Sequence, residues 1–230
     1  MKPKHIAIIM DGNRRWAKSN NYSILEAYEK GLEALNDTIN NFIKLKIKYL
    51  TVFGFSTENW SRSKKEISFL LKLFNKFLDK AISEAEENEI RIKFIGDLEV
   101  FDKKIKEKTS FLSELTNKKK KLTLTVAVNY GGRQEILIAV KKYITDHLNK
   151  NFKSLKNLDD FEKYLFNYKL PNIDLLIRTG GEKRLSNFML WHLAYTELIF
   201  LNHMWPDFNL NLLNSSINEF TSRKRKFGGM

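Results

Sequence analysis

HIAIIMDGNRRWA, His5–Ala17, is the stretch on which the fold turns. Ile6–Met10 is a short, continuous apolar run that stops at a carboxylate, Asp11, followed by Gly12, Asn13 and two arginines. A run this short and this apolar reads as a strand covered on both faces, the pattern of a parallel sheet. The polar residues after it open a helix. The same alternation recurs downstream. Strand candidates are His5–Met10, Tyr49–Phe55, Ile90–Ile95, Leu122–Asn129, Asp174–Arg178 and Glu197–Leu201. Between them Tyr28, Leu32, Leu35, Ile39, Phe42 and Leu45 make one helical stripe, and Ile67 through Ala85 carries another over a Ser63–Asn88 helix. Gly132–Leu148, Leu158–Phe166 and Asn211–Phe227 are further helix candidates. Alternating β and α elements predict one α/β domain over residues 1–230, a mostly parallel sheet flanked by helices.

Composition narrows the function classes. The chain has no Cys, which excludes disulfides, thiolate metal sites and cysteine nucleophiles and fits a cytoplasmic protein. No segment reaches the ~20 apolar residues of a spanning helix, and the first apolar run is too short for a signal peptide. The four histidines, His5, His147, His192 and His203, lack close metal-ligand spacing and read as structural or surface groups. The net charge of +13 carries little weight, because 31 of the 40 basic residues are Lys and the Lys118–Lys121 run reads as a solvated loop. A nucleic-acid binder would need stacking aromatics among exposed basic residues, whereas Trp16 and Trp60 lie in the arginine-bearing loops where phosphate is expected.

Those loops are where chemistry is expected, since open α/β sheets bind ligands beyond the carboxyl ends of their strands. Only nine residues are Arg, yet Arg14, Arg15, Arg62, Arg133, Arg178 and Arg184 fall in four such loops. A guanidinium grips phosphate with two donors, where Lys offers a point charge. A structural ion pair explains any one of the six as well as a ligand does; it explains six on one edge poorly. Gly12, Gly131-Gly132 and Gly180-Gly181 would let backbone N–H groups approach phosphate oxygens, although turns use glycine anyway. Asp11 could simply cap a helix; beside two Arg and a Gly, a carboxylate sharing Mg²⁺ with a diphosphate is the stronger reading. Glu197 is either a second such carboxylate or a solvated strand end, and both readings stay open.

Six segments together resemble the undecaprenyl diphosphate synthases, a cis-prenyltransferase family: His5–Ala17, FGFSTENWSR (Phe53–Arg62), VNYGGRQEI (Val128–Ile136), DLLIRTGGEKRLSNFMLW (Asp174–Trp191), AYTELIF (Ala194–Phe200) and WPDF (Trp205–Phe208). They run in order over nearly the whole chain. The resemblance implies a six-stranded sheet, an apolar product channel and a homodimer. It implies repeated condensation of isopentenyl diphosphate onto farnesyl diphosphate to a long polyprenyl diphosphate of undecaprenyl type, the lipid carrier precursor for cell-wall polysaccharide, with peripheral membrane contact through that product and no nucleic-acid partner. Asp11 would hold Mg²⁺, joined by Glu197. Gly12, Asn13, Arg14 and Arg15 would cradle the allylic diphosphate, with Trp16 and Tyr28 beside them. Arg178, Arg184, Leu185 and Ser186 would grip isopentenyl diphosphate. Ser56, Thr57, Glu58, Asn59, Trp60 and Arg62 would form a mobile loop over both substrates.

The family assigns Asn59 as proton acceptor. A neutral amide is a very weak base, so a role orienting the base, such as a diphosphate oxygen, suits it better. On the Ser63–Asn88 helix, Phe69 and Leu73 fall off the main stripe and would face either the channel or a neighbouring helix. The sequence departs from the family at Ile24 (usually Arg), Tyr28 (usually His), Lys183 (usually His), Ser63 (usually Pro) and Lys226 (commonly Arg). The Asp-rich motifs of trans-prenyltransferases are absent. Retention of Asp11, Asn59, Arg178, Arg184 and Glu197 argues against a non-catalytic subunit.

Overall fold

A computed structural model describes residues 2–87, 89–148, 154–166 and 169–224. Six strands form one sheet: β1 (His5–Ile9), β2 (Tyr49–Ser56), β3 (Ile90–Ile95), β4 (Leu122–Tyr130), β5 (Leu175–Arg178) and β6 (Glu197–Phe200), in the spatial order β3-β4-β2-β1-β5-β6. Every pairing is parallel, so the sheet is more regular than the expected mostly parallel one. Helices are α1 (Asn13–Asn20), α2 (Ile24–Lys44), α3 (Lys64–Ser83), α4 (Lys103–Leu115), α5 (Gly132–Leu148), α6 (Leu158–Glu162) and α7 (Leu210–Ser222). The tail around Lys226 lies outside the described residues, as does the last part of the predicted Asn211–Phe227 helix.

Alternation along the strands explains the unbroken apolar runs. Ile6 and Ile8 enter one hydrophobic cluster, Ala7 and Ile9 the other. Leu175 and Ile177 face the first cluster, and Leu176 the second. Each strand thus supplies both cores, as a sheet covered on both sides requires. Helix α2 starts with a capping box, in which Ser23 accepts from the Glu26 N–H and Glu26 accepts from the Ser23 N–H. Helix α4 went unrecognised in the sequence. Its stripe is only Ile105, Thr109 and Leu112 among many charged residues, too narrow to stand out from a lysine-rich loop.

His5 is fully buried in β1. Its Nδ1 lies 2.7 Å from the Pro171 carbonyl, which can only accept, so Nδ1 carries the proton. Its Nε2 then accepts from the Thr51 hydroxyl at 2.8 Å. Burial lowers its pKa to about 4, against the opposing pull of the Pro171 bond and the Asp174 charge. The folded chain therefore holds this ring neutral, whereas the unfolded chain protonates it near pH 6.5. The contribution is complete above pH 6.5 and is lost as pH falls toward 4, by about 3 kcal/mol. Melting temperatures measured from pH 7 to 4.5 should fall more steeply for the native chain than for His5→Gln.

Candidate active site

The parallel arrangement puts the carboxyl ends of β1, β2, β4 and β5 on one edge, and the arginine-bearing loops follow these four strands. Asp11 lies two residues past β1. Its Oδ2 accepts from Arg178 Nη2 at 2.9 Å and stands 3.4 Å from Arg15 Nη2. Its backbone is fixed by Thr179, whose hydroxyl donates to the Asp11 carbonyl at 2.7 Å and accepts from the Asp11 N–H at 3.0 Å. Gly12 has φ +109°, and a Cβ there would stand 2.7 Å from Met204 Sδ. It precedes an α1 with no side-chain cap and no acidic residue in its first turn. Those first N–H groups have no partner within the helix and face the direction a bound anion would approach. Gly180, at φ +87°, keeps clear the path by which Arg15 reaches Asp11, since a Cβ there would lie 2.8 Å from Arg15 Nη2.

Arg178 ends β5 and is only 4% exposed. Nη1 donates to the Arg184 carbonyl and, at 2.9 Å, to Ser186 Oγ, while Nη2 serves Asp11. One buried guanidinium thus ties the β1 loop to the β5 loop. Arg184 is exposed and pairs with Glu182, which also lies 3.3 Å from Arg15 Nη1. Leu185 is half-buried against the second core, and Lys183 is exposed.

The Thr57–Ser61 turn follows β2. Asn59 Oδ1 accepts from the Ser56 N–H at 3.0 Å. Its amide nitrogen is the end not committed to Ser56, and an amide nitrogen donates; this geometry favours orienting an acceptor over taking a proton. Trp60 Nε1 donates to Asn129 Oδ1 at 2.8 Å, and Trp16 Nε1 to Asp207 Oδ1 at 2.7 Å. Asn187 went unrecognised in the sequence and is a hub. Its Oδ1 accepts from the Arg133 N–H, its carbonyl from the Gly132 N–H, and its Nδ2 donates to Glu58 and Gln134. It lies inside the long Asp174–Trp191 motif, and that position was the available signal.

Tyr28 does not stand where its hydroxyl is free. It donates to Glu66 Oε1 at 2.6 Å and accepts from Arg62 Nη1, which also lies 2.8 Å from Glu66. Burial and the Glu66 bond raise the Tyr28 pKa. Burial opposes ionisation of Glu66, but the Tyr28 hydroxyl and the Arg62 and Arg14 charges prevail and hold its carboxyl below the usual range. Arg62 of the loop is therefore tethered to α2 and α3. Ile24 is exposed, not repacked into the core. Tyr28→Phe should cost about 1–2 kcal/mol, and so lower Tm by about 2–8 °C in a chain of this length; calorimetry checks this.

The structure does not bring Glu197 to Asp11. Glu197 begins β6 and pairs in register with Leu175, whereas Arg178 at the site end pairs with Phe200. Three strand residues, roughly 10 Å, separate it from the carboxyl edge, and its carboxylate is held by Arg223 at 2.8 Å. Within this chain the two carboxylates thus lie at opposite ends of the β5–β6 pair. Among the described residues, no three His, Asp or Glu side chains group closely enough to cage a metal. The donor that remains, Asp11, suits an ion completed by substrate oxygens, as Mg²⁺ is commonly held. Among the described residues, four buried side-chain polar atoms lack a partner, and three belong to predicted site residues: Asn13 Oδ1, Thr57 Oγ1 and Arg178 Nε. Buried polar atoms left so call for an explanation, and a bound ligand or water is one.

Beside this edge a cavity of about 200 Å³ lies between α2, α3 and the sheet. Asn13, Tyr28, Asn59 and Arg62 line its polar end, and Leu70, Leu71, Leu73, Phe74 and Phe77 its apolar body. Leu73 thus faces this cavity; Phe69 does not line it.

A family profile described as "Putative undecaprenyl diphosphate synthase" matches residues 9–228. A ditrans,polycis-undecaprenyl-diphosphate synthase of Haemophilus influenzae, named as specific for (2E,6E)-farnesyl diphosphate, is 41% identical over 99% of this chain and 95% of its own. The lavandulyl diphosphate synthase of Lavandula x intermedia, solved with dimethylallyl diphosphate, superposes with a TM-score of 0.93 at 33% identity, covering 99% of both chains. A probable undecaprenyl diphosphate synthase of Campylobacter jejuni superposes at 0.82, also 33% identical and with full coverage of both chains.

Proposed function

The chain belongs to the undecaprenyl diphosphate synthase family of cis-prenyltransferases, and from that premise we propose that it adds isopentenyl diphosphate units to farnesyl diphosphate, forming undecaprenyl diphosphate for cell-wall carrier lipid. One observation carries the reading: a cavity with a polar mouth beside the arginine-bearing edge and an apolar body. A prenyl diphosphate is an amphiphile of that pattern.

The first-turn N–H groups of α1, with Arg14 and Arg15, cradle the allylic diphosphate. Arg184 and Ser186, ordered by Arg178, hold isopentenyl diphosphate with its alkene toward the allylic carbon. The alkene attacks that carbon as its bond to diphosphate oxygen breaks. The new cation then loses a proton to a diphosphate oxygen, which the Asn59 amide orients. Mg²⁺, held by Asp11 and diphosphate oxygens, would supply charge neutralisation on the departing group. Donors already in place at the developing charge spare the cost of reorganising solvent around it.

An exposed apolar stripe on α5, Leu137, Val140, Ile144 and Leu148, supports a homodimer, because such a face marks a contact surface. No helix among the described residues is long and apolar enough to cross a membrane; contact with lipid would come through the product tail.

Labelled isopentenyl diphosphate tests the reading. Incorporation into organic-extractable lipid should require both farnesyl diphosphate and Mg²⁺ and stop on chelation. Incorporation that ignores the allylic primer, or none under any of these conditions, would overturn it.

A further inference from the structure

Helices α3 and α4 pack against each other over the first hydrophobic cluster, and an open groove of about 490 Å³ runs between them. Its floor is apolar, made by Ile67 and Leu71 of α3, Ile105 of α4 and the ring of Trp60. Lys64 and Lys72 stand on one rim and Lys104 on the other. Ser68, Asn75 and Asp102 complete the lining among the described residues. Asp102, the one carboxylate of that set, is occupied as the cap of α4, where it accepts from the Ile105 N–H at 2.8 Å.

The rim lysines differ from their neighbours. Lys103, Lys106 and Lys108 of α4 pair with Glu107, Glu99 and Asp79. Lys64, Lys72 and Lys104 are exposed and pair with no carboxylate among the described residues. Large apolar side chains are left in water on the same flank. Phe111 and Leu115 stand on the same face of α4 as Lys104, two and three turns on, and both are exposed. Val100, in the Leu98–Val100 turn that leads into α4, is exposed too.

Two properties together select the occupant of this face. Uncommitted lysines attract an anionic surface, and exposed aromatic and aliphatic side chains beside them are rewarded by a partner with an apolar layer beneath its charge. A bilayer containing anionic lipids has both. Leu71 lines this groove and also the cavity beside the site, so a tail held in that cavity lies one side chain from the same flank. We infer that the α3–α4 face docks on an anionic bilayer, with Lys64, Lys72 and Lys104 at the headgroups and Phe111 and Val100 at the boundary with the acyl chains. This contact is made by the protein itself, in addition to that made through the product tail. Its use rests on the proposed lipid product, which is best released at the surface that takes it up.

The test is cosedimentation of the full chain with vesicles, in the absence of substrates and Mg²⁺. Vesicles of phosphatidylglycerol mixed equally with phosphatidylcholine should bind the chain, and pure phosphatidylcholine should bind it far more weakly. A lysine at an anionic leaflet contributes about fivefold in affinity, so Lys64→Gln, Lys72→Gln and Lys104→Gln together should weaken binding about a hundredfold. Lys4→Gln, Lys44→Gln and Lys48→Gln remove the same charge before the amino ends of β1 and β2, and together should weaken it only a few-fold. Phe111→Ser should weaken it about tenfold by withdrawing a ring from the apolar layer. All seven positions are exposed, so melting temperatures should stay native. No binding to the anionic vesicles would overturn the inference. Equal losses from the two lysine sets would overturn it as well, since net charge alone would then attract the chain. Native binding by Phe111→Ser would overturn the apolar half of the contact. Capture by polyglutamate without binding to vesicles would overturn the inference in favour of an acidic protein partner. A native chain that binds the vesicles yet incorporates no isopentenyl diphosphate would overturn the proposed function and not this contact.

Discussion

Asp11→Asn should lower kcat by about a thousandfold while the protein still folds. A carboxylate that anchors charge neutralisation acts on the transition state, and losing one such interaction typically costs 10²–10³ in kcat. Asparagine keeps the shape and still offers an acceptor to Arg178 Nη2, which donates to Asp11 at 2.9 Å. Alanine is the poorer test. Arg178 is 4% exposed, and stranding a buried charge costs about 3–5 kcal/mol, so Asp11→Ala would mix a folding defect with a chemical one. Turnover of labelled isopentenyl diphosphate and a melting curve, measured on the same preparation, separate the two. A kcat near the native value, with only the melting temperature reduced, would mean that Asp11 serves as the partner of Arg178 and nothing more.

Arg178→Lys should reduce kcat/KM by about a hundredfold. The guanidinium reaches three acceptors in two loops, the Arg184 carbonyl, Ser186 Oγ and Asp11 Oδ2, and an ammonium on a flexible stem cannot span them in that geometry. Each charge-assisted bond lost is worth about 1.5–3 kcal/mol. Arg184→Lys should do less, because Arg184 is exposed and, among the described residues, its side chain pairs with Glu182 alone. Its expected signature is a roughly tenfold higher KM for isopentenyl diphosphate, the loss of about one such bond, with the KM for farnesyl diphosphate little changed. Equal effects of Arg184→Lys on both KM values would count against dividing the site between the two loops.

Strand periodicity made the sheet legible. The run Ile6–Met10 is apolar at every position, and Leu122–Asn129 nearly so toward its end, because each strand feeds two cores, as Ile8 and Ile9 do in opposite directions. The loops after four of those strands were legible for a related reason: a parallel sheet places all its carboxyl ends on one edge. Contacts across the edge were not. Tyr28 meets Glu66 from 38 residues away and Asn187 meets Glu58 from 129 away, and a linear pattern carries no record of such pairs. Glu197 shows the opposite limit. Its motif suggested the metal, but strand register places it at the far end of β6, and register emerges only when strands pair. Helix α4 was hidden because its buried stripe is three residues wide in a charged segment.

The geometry of the double bonds in the product tests the central claim most directly. Native protein, farnesyl diphosphate, Mg²⁺ and excess isopentenyl diphosphate should give a lipid whose newly formed double bonds are cis by NMR, following the trans bonds of the primer. New bonds that are trans, or a lipid no longer than the primer, would contradict the assignment of this site to cis chain elongation.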